Sequence, residues 1–159
     1  MKPTLRFLMS DPAHFIALGF GSGLMPKGPG TAGTLVGWLL FPFVRAPLSD
    51  PLFGGLLLAS FLFGILACER TGRALGVADH GGIVWDEIVA IWLVLWLTPP
   101  TLAWQATAFV LFRFFDIVKP PPIRWVDERT RGGLGVMFDD ILAAGYTLLV
   151  LAILVRFLG

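Results

Sequence analysis

The chain has little of what soluble enzymes are usually built from. Only 14% of its 159 residues are charged, against roughly 25% in soluble domains, and 56% are hydrophobic. A single cysteine, Cys68, excludes an intramolecular disulfide and a thiolate metal cluster. It falls in an apolar run and reads as a small core or lipid-facing residue. Two histidines, His14 and His80, argue against a zinc site. A formal charge of +1 supplies no basic stripe for a phosphate backbone, which excludes nucleic acid as a partner. Internal repeats and low-complexity tracts are absent, and the length fits one domain over residues 1–159.

What is present is hydrophobic length. Apolar segments run over Ala32–Val44, Leu52–Cys68, Ile88–Leu97, Leu102–Val118 and Ile141–Leu158. A spanning helix needs about 17–25 apolar residues, so the second, fourth and fifth qualify most easily. The first reaches that length if Arg45 snorkels. The third reaches it only if Ile83-Val84-Trp85-Asp86-Glu87 joins it, which brings two carboxylates near membrane depth and flags function. The expectation is an all-α, polytopic helical bundle with about five transmembrane segments. Lys2 and Arg6 imitate the positive start of a cleavable leader, but Ser10-Asp11-Pro12 interrupts the apolar stretch that should follow. That tripeptide predicts a helix start instead, with Asp11 as N-cap and Pro12 at the first position. The helix that follows, about Ala13 to Phe20, is expected at the membrane interface or against the bundle.

Charge alternates between connections. Lys2, Arg6, Lys27, Arg70, Arg73, Lys119, Arg124, Arg129 and Arg131 fall on one set of loops, and Arg45 and Arg156 on the other. The positive-inside rule therefore puts the N-terminus and the long loops in the cytoplasm. Nearly all acidic residues gather on that same face, with Asp50 opposite.

The chemistry-bearing stretches lie there too. In DHGGIVWDE, residues 79–87, Asp79 and His80 precede a Gly-Gly break, and Asp86-Glu87 open the third span. Paired carboxylates at a helix start are favoured by the helix dipole and offer oxygens to a hard cation such as Mg2+, although a simple capped helix end explains them equally well. In FRFFDIVKPPPIRW, residues 112–125, Arg113, Asp116 and Lys119 share one helix face until Pro120 ends it. In GGLGVMFDD, residues 132–140, glycines again precede paired acids, with Asp139-Asp140 opening the last span. The stretch GSGLMPKGPGTAGT, residues 21–34, matches neither a Walker A loop nor a dinucleotide fingerprint. Its glycines, Lys27 and a helix starting near Thr31 nonetheless suit an anion, as an alternative to a plain re-entrant turn. Together these elements suggest metal-dependent phosphoryl transfer: acids hold Mg2+, basic groups hold phosphate and water attacks phosphorus. A carrier or ion-conducting protein is the competing class, but an ion path requires acids at several depths.

GFGSGLMPKGPGTAGTL, DHGGIVWDE, FRFFDIVKPPPIRW and GGLGVMFDD, in this order and over about residues 15–146, resemble the phosphatidylglycerophosphatase A family. The departures are small: Thr34 replaces serine, and Ala90 and Ala144 replace glycine. The resemblance implies an all-helical enzyme of the bacterial inner membrane that uses Mg2+ to convert phosphatidylglycerophosphate to phosphatidylglycerol on the cytoplasmic face, with no obligate protein partner. Carried over residue by residue, it implies Asp86, Glu87, Asp139 and Asp140 as metal ligands. Asp79 and Asp116 are further ligands or a general base, with His80 a second catalytic candidate. The resemblance also implies that Lys27, Arg113 and Lys119, with Gly28, Gly30 and Thr31, hold the phosphate. Attack by water or by a carboxylate is left open.

Overall fold

The computed structural model describes residues 2–77, 80–129 and 132–159, and among these it is helical throughout, without strands. Two short helices, α1 (Leu5–Met9) and α2 (Pro12–Ala17), lead into a 3-10 segment, Gly19–Leu24. Five long helices follow, α3 (Pro29–Arg45), α4 (Asp50–Leu75), α5 (Trp85–Trp96), α6 (Leu102–Val118) and α8 (Gly132–Leu158), with the short α7 (Ile123–Arg129) between the last two.

The expected start of α2 is observed. Asp11 accepts from the Ala13 N–H at 2.9 Å, Pro12 takes the first position, and Arg70 of α4 pairs with Asp11 at 2.6 Å. The Ala13 N–H, helped by the Arg70 guanidinium, holds the Asp11 carboxyl below its ordinary range. The helix does not run to Phe20. It stops at Ala17, because Gly19, Phe20 and Gly21 all take positive φ, which no α-helix continues through.

The five apolar segments become α3, α4, α5, α6 and α8, but they are unequal. By length and composition, α4 and α8 are long and apolar enough to cross a membrane. The helices α3 and α6 have 17 residues each and α5 has 12. Twelve residues rise about 18 Å, well short of the roughly 30 Å hydrocarbon thickness. Two of the five segments therefore qualify as spans on this measure.

Burial explains the short α5. From Trp85 to Trp92 every residue is buried, the pattern of a helix enclosed by protein on all sides. Its walls are α3, α4 and α8, with α6 at one edge. Indole donors fix it: Trp85 Nε1–H donates to Ser60 O of α4 at 3.1 Å, and Trp92 Nε1–H to Gly37 O of α3 at 2.8 Å. At Gly133, α8 comes so close to α4 that a Cβ would stand 1.9 Å from Ile65 O, so any side chain there forces the helices apart. The outward faces of the surrounding helices are apolar. Leu35, Leu39 and Phe43 of α3, Leu58, Leu62 and Leu66 of α4, Val110 and Phe114 of α6, and Leu149 and Ile153 of α8 are all exposed. A soluble monomer rarely exposes so extensive an apolar surface.

Candidate active site

Three helix ends and the flank of a fourth helix meet at one end of the bundle. The first turn of α5 brings Asp86 and Glu87, the last turns of α6 bring Arg113 and Asp116, α8 brings Asp140, and α3 begins alongside with Gly30. Asp86, Glu87 and Asp140 are all buried, and one carboxylate oxygen from each lies within 4.8 Å of the others. Asp86 Oδ1, Glu87 Oε2 and Asp140 Oδ2 have no hydrogen-bond partner among the described residues. Buried carboxylate oxygens left in this way are costly. Three hard oxygen donors converging on one point are the ligand set a divalent cation such as Mg2+ satisfies, so the residues fit the metal expected from the sequence.

The basic half of the site is built on α6. Arg113 reaches both Asp116, in a close ion pair, and Glu87 Oε1 at 3.8 Å. Lys119 Nζ lies 3.8 Å from the other oxygen of Asp116. The spacing of 113, 116 and 119 puts all three on one helical face, as expected. Lys119 ends the helix at φ 50°. Asp116 also adjoins Asp140, so it links the basic groups to the carboxylate trio. The Arg113 Nε is buried without a partner among the described residues.

The glycine-rich stretch delivers a helix N-terminus to the same place. Gly28 caps α3 at φ 64°, Pro29 occupies the first position, and the first intrahelical bond is Ala32 N–H to Gly28 O at 3.0 Å. The N–H groups of Gly30 and Thr31 precede that bond and are therefore left for an outside acceptor. A Cβ on Gly30 would lie 3.0 Å from Glu87 Oε1 and 3.1 Å from an Arg113 terminal nitrogen. Thr34 donates its hydroxyl to Gly30 O at 2.7 Å, so the threonine at this position keeps a structural use.

The expected residues do not all converge. Asp139 is buried but is not among the three carboxylates that meet. The pair does not open the last span either, since α8 starts at Gly132 and Asp139-Asp140 lie in its third turn. His80 sits in the turn before α5, where Gly82 N–H donates to its Nδ1 at 2.9 Å. Lys27 is exposed, and Asp79 lies outside the described residues. Two neighbours escaped the sequence reading. Cys68 is buried beside Asp86, and Glu69 accepts from Gly133 N–H at the start of α8 while pairing with Arg73. Neither has a local signal, because both contacts join α4 to distant segments.

Comparison with known proteins identifies the family. The family profile described as Phosphatidylglycerophosphatase A matches residues 15–155. A Haemophilus influenzae protein named Phosphatidylglycerophosphatase A is 44% identical over 151 residues, covering 94% of this chain and 92% of its own. An Escherichia coli protein of the same name is 44% identical over 143 residues, 87% of this chain and 80% of its own. A Bacteroides thetaiotaomicron protein, provisionally named a phosphatidylinositol-3-phosphatase, is 39% identical over 146 residues, 87% of this chain and 90% of its own. No solved structure matches.

Proposed function

The chain belongs to the phosphatidylglycerophosphatase A family, and we propose that it hydrolyses phosphatidylglycerophosphate to phosphatidylglycerol and inorganic phosphate at the cytoplasmic surface of the bacterial inner membrane. The observation that carries this reading is the juxtaposition of three buried, converging carboxylates with Arg113 and the start of α3.

Asp86, Glu87 and Asp140 would hold Mg2+. Bound there, the ion supplies positive charge against the phosphate oxygens and acidifies water. The chain's own groups do the rest. Arg113 offers a planar fork of donors to the phosphate, and the first N–H groups of α3 add a dipole end that favours anions. Lys119 contributes a further cation beside Asp116. Asp116 orients Arg113 through their ion pair and is the carboxylate we assign as base: it takes the proton from the attacking water. The bond from phosphorus to the lipid oxygen breaks, and the departing alkoxide takes a proton from solvent. His80 serves the turn that sets the start of α5.

The membrane placement rests on the apolar outer faces of α3, α4, α6 and α8 and on charge. The end that carries the carboxylates also carries Lys27, Arg70, Arg73, Lys119 and Arg124, whereas Arg45 and Arg156 mark the other end. In this reading all five long helices stand in the bilayer, with α5 surrounded by protein rather than lipid. An ion path is disfavoured because the buried carboxylates gather at a single end.

The test is phosphate release from phosphatidylglycerophosphate by the detergent-purified protein, with Mg2+ or with EDTA. Release that requires the metal is expected. Absence of release with Mg2+ present, from protein that retains its helical circular dichroism, would refute the proposal.

A further inference from the structure

A groove of about 700 Å³ runs down the outer side of α3, walled by Leu35, Leu39, Pro42 and Phe43 and closed on the α6 side by Leu102. We propose that it holds one acyl chain of the lipid whose phosphate is hydrolysed; the inference rests on the lipid-phosphatase reading and extends it to substrate recognition beyond the headgroup.

Continuity with the phosphate end is the first argument. The same helix that begins with Gly30 against Glu87 and Arg113 carries the exposed residues Thr31, Leu35, Leu39 and Phe43. They recur every four residues, so they form one stripe that leads from the site into the groove. The second argument is length. From Leu35 to Arg45, the extremes of α3 in the groove, the helix rises about 15 Å, so the apolar wall is about as long as the hydrocarbon of one leaflet is deep. The third is chemistry. Trp38 Nε1–H donates to Gln105 Oε1 across the groove at 3.0 Å, and Arg45 is held by Leu48 O and by Asp50. Those donors are engaged within the wall, which suits a hydrocarbon occupant and not a polar peptide.

Leu39 is 63% exposed, so Leu39→Trp fills the groove without entering the core. The experiment measures phosphate release in mixed micelles, using phosphatidylglycerophosphate with two palmitoyl chains and the analogue with two hexanoyl chains. Leu62→Trp, on the exposed face of α4, is the control. For Leu39→Trp a KM raised about tenfold on the long-chain lipid, with kcat within about twofold and the short-chain substrate unaffected, is expected. Equal effects on both substrates, or no difference between Leu39→Trp and Leu62→Trp, would overturn the groove assignment. So would a changed oligomeric mass with KM unaltered, which would make a second copy the occupant. A wild-type protein that releases phosphate from neither lipid refutes the phosphatase reading itself, so the two failures are told apart.

Discussion

Gly30 stands directly against Glu87: a methyl group added at Gly30 would lie 3.0 Å from the Glu87 Oε1 and 3.1 Å from the Arg113 guanidinium. The contact joins the anion-binding end of α3 to the carboxylates of α5, and it leaves space there for backbone only.

Gly30→Ala therefore separates stability from activity. Alanine is the better helix former by up to about 1 kcal/mol, so the thermal midpoint in detergent should stay level or rise. Turnover should fall tenfold or more, since small misplacements of positioning groups cost about a hundredfold in the extreme. Parallel thermal scans and phosphate-release assays check both halves.

Asp86→Asn should abolish phosphate release without unfolding the protein. Three buried carboxylates converging on one point repel one another, and a neutral isostere relieves that repulsion. In EDTA the variant should melt at or above the wild-type temperature. Adding Mg2+ should stabilise the wild type, by about 2.7 kcal/mol at a hundredfold excess over Kd, and leave Asp86→Asn unmoved. A variant with wild-type turnover would remove Asp86 from the ligand set.

Asp140→Asn and Asp139→Asn should differ. Only Asp140 belongs to the converging trio, so its variant should lose activity along with the Mg2+-dependent rise in melting temperature. Asp139→Asn should keep both, with turnover within about tenfold of wild type. Equal losses would restore the pair of ligands that the sequence suggests.

Arg113→Lys keeps the charge but removes the fork that touches both Glu87 and Asp116. A loss of kcat/KM of about ten- to a hundredfold is expected, comparable to the loss of a charge-assisted hydrogen bond. Retention of full activity would show that a point charge is enough.

The legible part of this molecule is whatever is local in the chain. Asp11-Pro12 announces the start of α2, Asp86-Glu87 fall in a first turn, and Arg113, Asp116 and Lys119 share a face because three-residue spacing puts them there. What could not be read depends on partners far away in sequence. Nothing near Gly30 indicates that Arg113 will lie beside it, and nothing near Gly133 indicates the Ile65 carbonyl. The two acid pairs look alike as text. They differ because α5 begins one residue before its pair, while α8 begins seven residues before Asp139, so one pair lies at a helix mouth and the other along its flank. The shortness of the third apolar run was legible, but its enclosure was hidden for a similar reason, since an apolar run looks the same whatever will surround it.

That enclosure has a consequence for how the chain can vary. The helix that supplies two of the three carboxylates is screened from its surroundings by its neighbours, so the outer faces of α4 and α8 can exchange one apolar residue for another without touching it. The inner face of each neighbour has no such freedom: a Cβ at Gly37 of α3 would stand 2.6 Å from the Ile91 side chain, and one at Gly64 of α4 would stand 2.7 Å from that of Trp85. The protein is conservative inside and permissive outside, and the boundary between the two runs along the length of single helices.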